Sequence, residues 1–255
     1  MNLVYALEFP EISEVLVWPD VVPGFNKIFI ITFLAVLVTV LIFALAMRKD
    51  PMVAPTGVRN VAEASVDFIE DGIVMQTMGR DALGWTPFLL SLFFFVLFTN
   101  ITGIIPTFQM PANARMAGPL ILALIVWVVY IAAGIKHQGL GGYLKSSLFP
   151  PGVPKALYLL VTPIEFISTF FVRPFSLAVR LFANMLAGHI LLVTFAVLTD
   201  ALITADTAAL IPVAILPFFM LVFLTAFEVL VCFLQAYIFT ILAAVYIGGS
   251  IHPEH

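Results

Sequence analysis

Arg180 sits in one of the most apolar parts of the chain, within Arg173-Pro174-Phe175-Ser176-Leu177-Ala178-Val179-Arg180-Leu181-Phe182-Ala183-Asn184. After Lys155, Arg173 and Arg180 are the only lysine or arginine residues. A guanidinium keeps its proton under essentially all conditions. Placing one in hydrocarbon costs at least about 2.5–3.5 kcal/mol, so such a charge faces a polar cavity or a charged partner. It cannot usefully pass a proton on. Its natural role is electrostatic: to attract a passing carboxylate, keep it ionised and interrupt a continuous water path for protons.

Other polar side chains accompany it. The same stretch holds Glu165, Ser176, Asn184 and His189, and a second apolar stretch holds Thr225, Glu228, Gln235 and Tyr237. An intramembrane acid and an imidazole can relay protons, which makes Glu228 and His189 candidate exchange groups. Ser176, Arg180, Asn184 and Gly188 follow steps of four and share a helix face. Glu228 and Gln235 are seven apart, with Cys232 and Thr225 near the same stripe. His189 lies nine residues past Arg180, and at about 100° per residue it points to roughly the opposite side. Arg180 and His189 are thus expected to serve separate polar regions of one helix.

Plainer readings stand beside these. Arg180 could pair with Glu228 simply to fix packing. Arg173 could snorkel from the cytoplasmic end, and Glu165 could be interfacial. His189, Asn184 and Gln235 could be hydrogen-bonding residues between helices. Cys232 reads as a small buried hydrophobe, and Phe93, Phe94 and Phe95 as packing residues. No nucleophile–base arrangement, phosphate loop or metal-ligand spacing is present, and no cofactor is expected. A lone cysteine cannot form an internal disulfide. The net charge of −4 comes with no basic patch, so nucleic acid is not an expected partner.

The elements that must position these groups are apolar helices. Of 255 residues, 62% are hydrophobic and 10% charged, against about 25% charged in soluble domains. The chain reads as all-α and polytopic, with about five membrane-crossing segments. Residues 1–27 are acidic and lack the basic start of a signal peptide, so the first span is expected to direct insertion. That span, 28–47, is long enough to cross about 30 Å of hydrocarbon and ends at Arg48-Lys49. Residues 51–83 carry an amphipathic helix, with Val58, Val61, Ala62, Ser65, Phe68, Ile69 and Ile73 at helical spacing between charged residues. Packing against a soluble part of another subunit is the alternative for that helix. Spans follow at 85–105 and 117–135, then a basic loop at 136–155. The long stretches 156–198 and 208–248 would each reach about 60 Å if helical, twice the membrane thickness. Each must fold back or lie strongly tilted. The basic clusters at 48–49, 136 and 145–155 all favour an outer N-terminus and a cytoplasmic C-terminus. No internal repeat of the secondary-transporter kind is visible.

The run Ser176–His189 resembles the signature of the ATP synthase subunit a family, the stator channel subunit of the membrane sector. Phe227–Phe239 resembles its second signature, and Thr99-Asn100-Ile101-Thr102-Gly103-Ile104-Ile105-Pro106 is a weaker third match. The resemblance covers nearly the whole chain after the first span. It implies that Arg180 is the essential arginine facing a rotating ring of c subunits, with Asn184 and Gln235 as polar neighbours. It also implies that His189 and Glu228 form a pair in the outer half-channel, with the acid and histidine exchanged relative to many bacterial members. Glu165 would belong to the cytoplasmic half-channel, and Ser176, Thr225, Tyr237 and Asn100 are candidate channel-lining residues. The two long helices would form a steeply tilted hairpin against the c-ring. Implied partners are the c-ring, subunit b of the peripheral stalk, the rest of the F-type ATP synthase, membrane lipid and protons. The implied location is the bacterial inner membrane. A secondary transporter and a structural scaffold are the competing classes.

Overall fold

The computed structural model describes residues 26–47, 56–105, 112–149, 154, 157–205 and 210–251. The acidic N-terminal segment, Arg48-Lys49, Pro106, Lys155, Asp206 and the last four residues lie outside the described residues. Among the described residues, five helical segments are long and apolar enough to cross a membrane: Lys27–Ala46, Arg80–Ile101, Ala117–Leu148, Tyr158–Ile203 and Ile211–Ile251. Helices suit this setting because they satisfy their backbone hydrogen bonds internally.

Helix α1 spans Lys27–Ala46, and the Asn26 side chain caps it by accepting from the Ile28 N–H at 3.3 Å. It is apolar all round and buries only Ile31 and Ala35 within the chain. Helix α2, Val58–Ile69, is the amphipathic element. Its Arg59 donates to Glu63 at 2.6 Å, one turn away. Ala62 and Ile69 pack inward, and a π turn, Glu70–Val74, continues the buried face through Ile73 and Val74. After Gly79, a 3-10 turn at Arg80–Trp85 leads into α3, Thr86–Ile101. Pro87 stands in the first turn of α3, where its missing N–H costs nothing.

Helix α4 spans Ala117–Leu148. The sequence suggests a loop from residue 136, whereas the helix continues to a break at Gly139 and a second helical segment follows to Leu148. Gly139 has φ +73°, a left-handed backbone favoured by glycine. Beyond the break Tyr143 folds back over Gly134, so closely that a Cβ on residue 134 would collide with its ring. Gln138 ties the break to the end of the chain, donating to the Ser250 carbonyl at 2.6 Å.

Helix α5, Tyr158–Ile167, accommodates Pro163 and runs through a π turn, Ser168–Val172, into α6, Arg173–Ile203. Pro174 is harmless in the first turn of α6. Helix α7, Ile211–Ile251, packs along α6, α3 and α4. Their shared core includes Phe93, Tyr130, Leu177, Met185, Phe239 and Ile247.

Candidate functional site

The polar residues separate onto two sides of α6. His189 is 6% exposed and points into the protein, whereas Arg180 lies on the exposed face. This is the division expected from nine residues at about 100° each. Steps of four on a helix of 3.6 residues per turn drift by about 40° each. The stripe from Ser176 through Arg180 and Asn184 therefore winds inward. Asn184 is half-buried, and Gly188 reaches the carboxyl group of Glu228. A methyl group on residue 188 would occupy the space of that carboxyl.

Glu228, on α7, is 9% exposed. It lines one small cavity with His189, Asn100, Gly103, Ile104, Met185 and Leu192. Three helices supply its polar groups: Asn100 from α3, His189 from α6 and Glu228 from α7. The cavity thus holds two groups able to take up or release a proton and one amide able to bond to either. A glycine opposite the acid leaves room for its carboxyl group against the α6 backbone.

Arg180 makes no ion pair with Glu228, because it faces the outside of the chain while the acid faces the cavity. Ala183 and Ala187, one and two turns further on, share its exposed surface. Small residues there leave room for close approach of another helix. Gln235 is buried, and its amide nitrogen has no hydrogen-bond partner among the described residues. Glu165 is partly exposed on α5, separated from Arg180 by the π turn.

Two candidate residues have other contacts. Thr225 donates to the Leu221 carbonyl of its own helix at 2.7 Å, and Tyr237 packs its ring against Phe68 at 5.8 Å. Arg173 is half-buried and sits 5.4 Å from the ring centre of Tyr246, a cation–π contact that holds it within the protein. Cys232 is fully buried, consistent with its reading as a small hydrophobe.

Sequence reasoning missed Asn113. It is 3% exposed, in a short turn at Ala112–Ala114 before α4. Its amide donates to Asn100 at 2.7 Å and to Thr99 at 2.9 Å. An isolated asparagine between spans carries no periodic signal; only the return of the chain against the end of α3 reveals it.

Five apolar helices, an acid and an imidazole lining one small cavity, and an arginine on an exposed helix face mark a polytopic membrane protein that carries proton-exchange groups. The family model described as ATP synthase A chain matches residues 28–248. The chain therefore belongs to the ATP synthase subunit a family, the proton-conducting stator subunits of the F-type ATP synthase membrane sector. It is 44% identical to ATP synthase subunit a of Frankia alni over 232 residues, covering 90% of this chain and 79% of that one. Identity to the Rhodococcus erythropolis subunit a is 40% over 230 residues, covering 90% and 83%. For Hyphomonas neptunium the values are 43% over 223 residues, with 87% and 85% covered.

Proposed function

We propose that this chain loads and unloads protons on the carboxylates of a rotating c-ring through two offset half-channels, with Arg180 preventing a direct leak between them. The observation that carries this reading is the division of α6: a fixed positive charge on its exposed face and buried proton-exchange groups sharing one small cavity on its inner side. A proton from the outer side reaches the His189–Glu228 cavity and passes to a ring carboxylate. The neutralised carboxyl then enters lipid. After nearly a full turn it meets the inner half-channel near Glu165 and ionises. Arg180 attracts that carboxylate and holds it charged, so a proton cannot pass directly from one half-channel to the other.

In this reading α6 and α7 form a tilted hairpin against the ring, as their lengths of 31 and 41 residues favour. Asn184 and Gln235 are polar neighbours of Arg180, with Ser176 and Asn100 lining the paths. Thr225 and Tyr237 line them too. Subunit b and the rest of the complex hold this chain still while the ring turns. The protein lies in a bacterial inner membrane, N-terminus outside and C-terminus in the cytoplasm, the orientation favoured by its basic loops. The membrane potential supplies the work: one elementary charge crossing 100 mV releases about 2.3 kcal/mol.

Arg180→Ala in the assembled complex tests the gate. Assembly should persist while proton-driven ATP synthesis is lost. Normal coupled synthesis would rule the gate out, and loss of assembly alone would favour a scaffold. Synthesis that depends on sodium rather than protons would overturn the choice of coupling ion.

A further inference from the structure

Asn100 is 1% exposed and lines the His189–Glu228 cavity, yet its amide nitrogen has no partner among the described residues. A buried amide donor left unpaired costs roughly 1–3 kcal/mol. The hydrogen bonds around it explain which way it points. Thr99 commits its single hydroxyl proton to carbonyls of its own helix, at 2.7 Å to Phe95 and 3.1 Å to Val96. The Thr99 oxygen must therefore accept from Asn113, so the nitrogen of the Asn113 amide faces α3. Both hydrogens of that nitrogen are then used, one on Thr99 and one on the Asn100 carbonyl oxygen. With its oxygen held by Asn113, the NH2 group of this cavity-lining side chain is the part left to bond with the other groups of the cavity.

We infer that Asn113 is a positioning residue for proton uptake: it fixes the amide of Asn100 so that a hydrogen-bond donor, and not an acceptor, faces the groups that exchange the proton. This deepens the proposed half-channel reading and rests on it. The titratable side chains facing Asn100 across the cavity are His189 from α6 and Glu228 from α7, with Cys232 one turn beyond Glu228. A fixed donor there bonds better to an ionised carboxylate than to a protonated one, and better to a neutral imidazole nitrogen than to an imidazolium. It therefore sets the balance between loaded and empty states of the cavity. Without Asn113 the Asn100 amide is free to flip, and the distinction between donor and acceptor is lost.

The experiment uses the whole ATP synthase in proteoliposomes. Synthesis is measured at fixed membrane potential while the pH is varied on the side from which protons enter. Asn113→Ala and Asn100→Ala should each lower the maximal rate by about tenfold, the rate equivalent of about 1.4 kcal/mol. Both should move the pH of half-maximal synthesis by the same amount and in the same direction. The double variant should go no further, because Asn113 acts through Asn100. Thr240→Val removes another buried hydrogen bond, on α7 outside the cavity, and should leave the profile unmoved. A purely structural role would lower assembly or rate with an unchanged profile, or make the two alanine effects additive; either result overturns the inference. Glu228→Gln and His189→Ala separate the two levels. If they leave synthesis intact, the half-channel reading fails. If they abolish it while Asn113→Ala leaves the profile unmoved, only the role of Asn113 falls.

Discussion

Gly188 shows how tightly single residues are set at the cavity. With no side chain it lets the Glu228 carboxyl lie directly over the α6 backbone. Gly188→Ala should push that carboxyl aside. Displacement of a reacting group by about 1 Å can cost about a hundredfold in rate, so proton-driven synthesis should fall by about that much while the complex still assembles. Glu228→Asp, shorter by one methylene, should recover part of the rate in the Gly188→Ala background while lowering it in the wild type. Absence of any rescue would argue against the steric cause. The opposite faces of Arg180 and His189 were legible beforehand, because they follow from helical geometry alone. The Gly188–Glu228 contact was not. It depends on how α6 and α7 meet, which periodicity within either helix cannot supply.

At the scale of elements, the two breaks in long helices are held by specific contacts. The π turn at Ser168–Val172 disturbs the regular hydrogen-bond ladder. The buried Tyr130 hydroxyl donates to the Thr169 carbonyl within this turn at 2.6 Å. Tyr130→Phe keeps the ring and removes that bond. Hydrogen bonds between membrane helices contribute about 0.6 kcal/mol on average and up to about 1.7. The solubilised complex should therefore lose stability by about that amount, read as a lower thermal-aggregation temperature. The break at Gly139 depends on Tyr143 lying over Gly134. Gly134→Ala should overpack that contact, at a cost of about 1–3 kcal/mol, and make the segment after Gly139 more susceptible to limited proteolysis. The spans themselves were readable because some twenty consecutive apolar residues leave few alternatives. The continuation of α4 to Leu148 was obscured by glycines and lysines that resemble a loop locally. Its stability comes instead from Tyr143 and from Gln138 bonding to the far end of α7.

For the molecule as a whole, the distribution of small and large residues distinguishes one exposed face from another. The exposed surface of α1 carries Phe33, Val40 and Leu41, bulky apolar groups suited to lipid. The surface around Arg180 carries Ala183 and Ala187. Lipid chains need no such clearance, because they flow around any side chain. A rigid helix carrying a carboxylate does need it: the charge on Arg180 acts strongly only when that carboxylate comes within a few ångströms in a low-dielectric setting. The alanines thus suit the moving helical partner proposed for this surface. Ala183→Leu should leave this chain folded and the complex assembled, since residue 183 does not belong to the buried core. It should nevertheless lower proton-driven synthesis and ATP-driven pumping together by at least about tenfold, the rate equivalent of about 1.4 kcal/mol. Val40→Phe, adding at least as much bulk to the exposed surface of α1, should change neither rate. Equal effects of the two substitutions would show that the Arg180 face meets lipid like any other. Loss of pumping from Ala183→Leu alone would identify it as the face that carries the load of rotation.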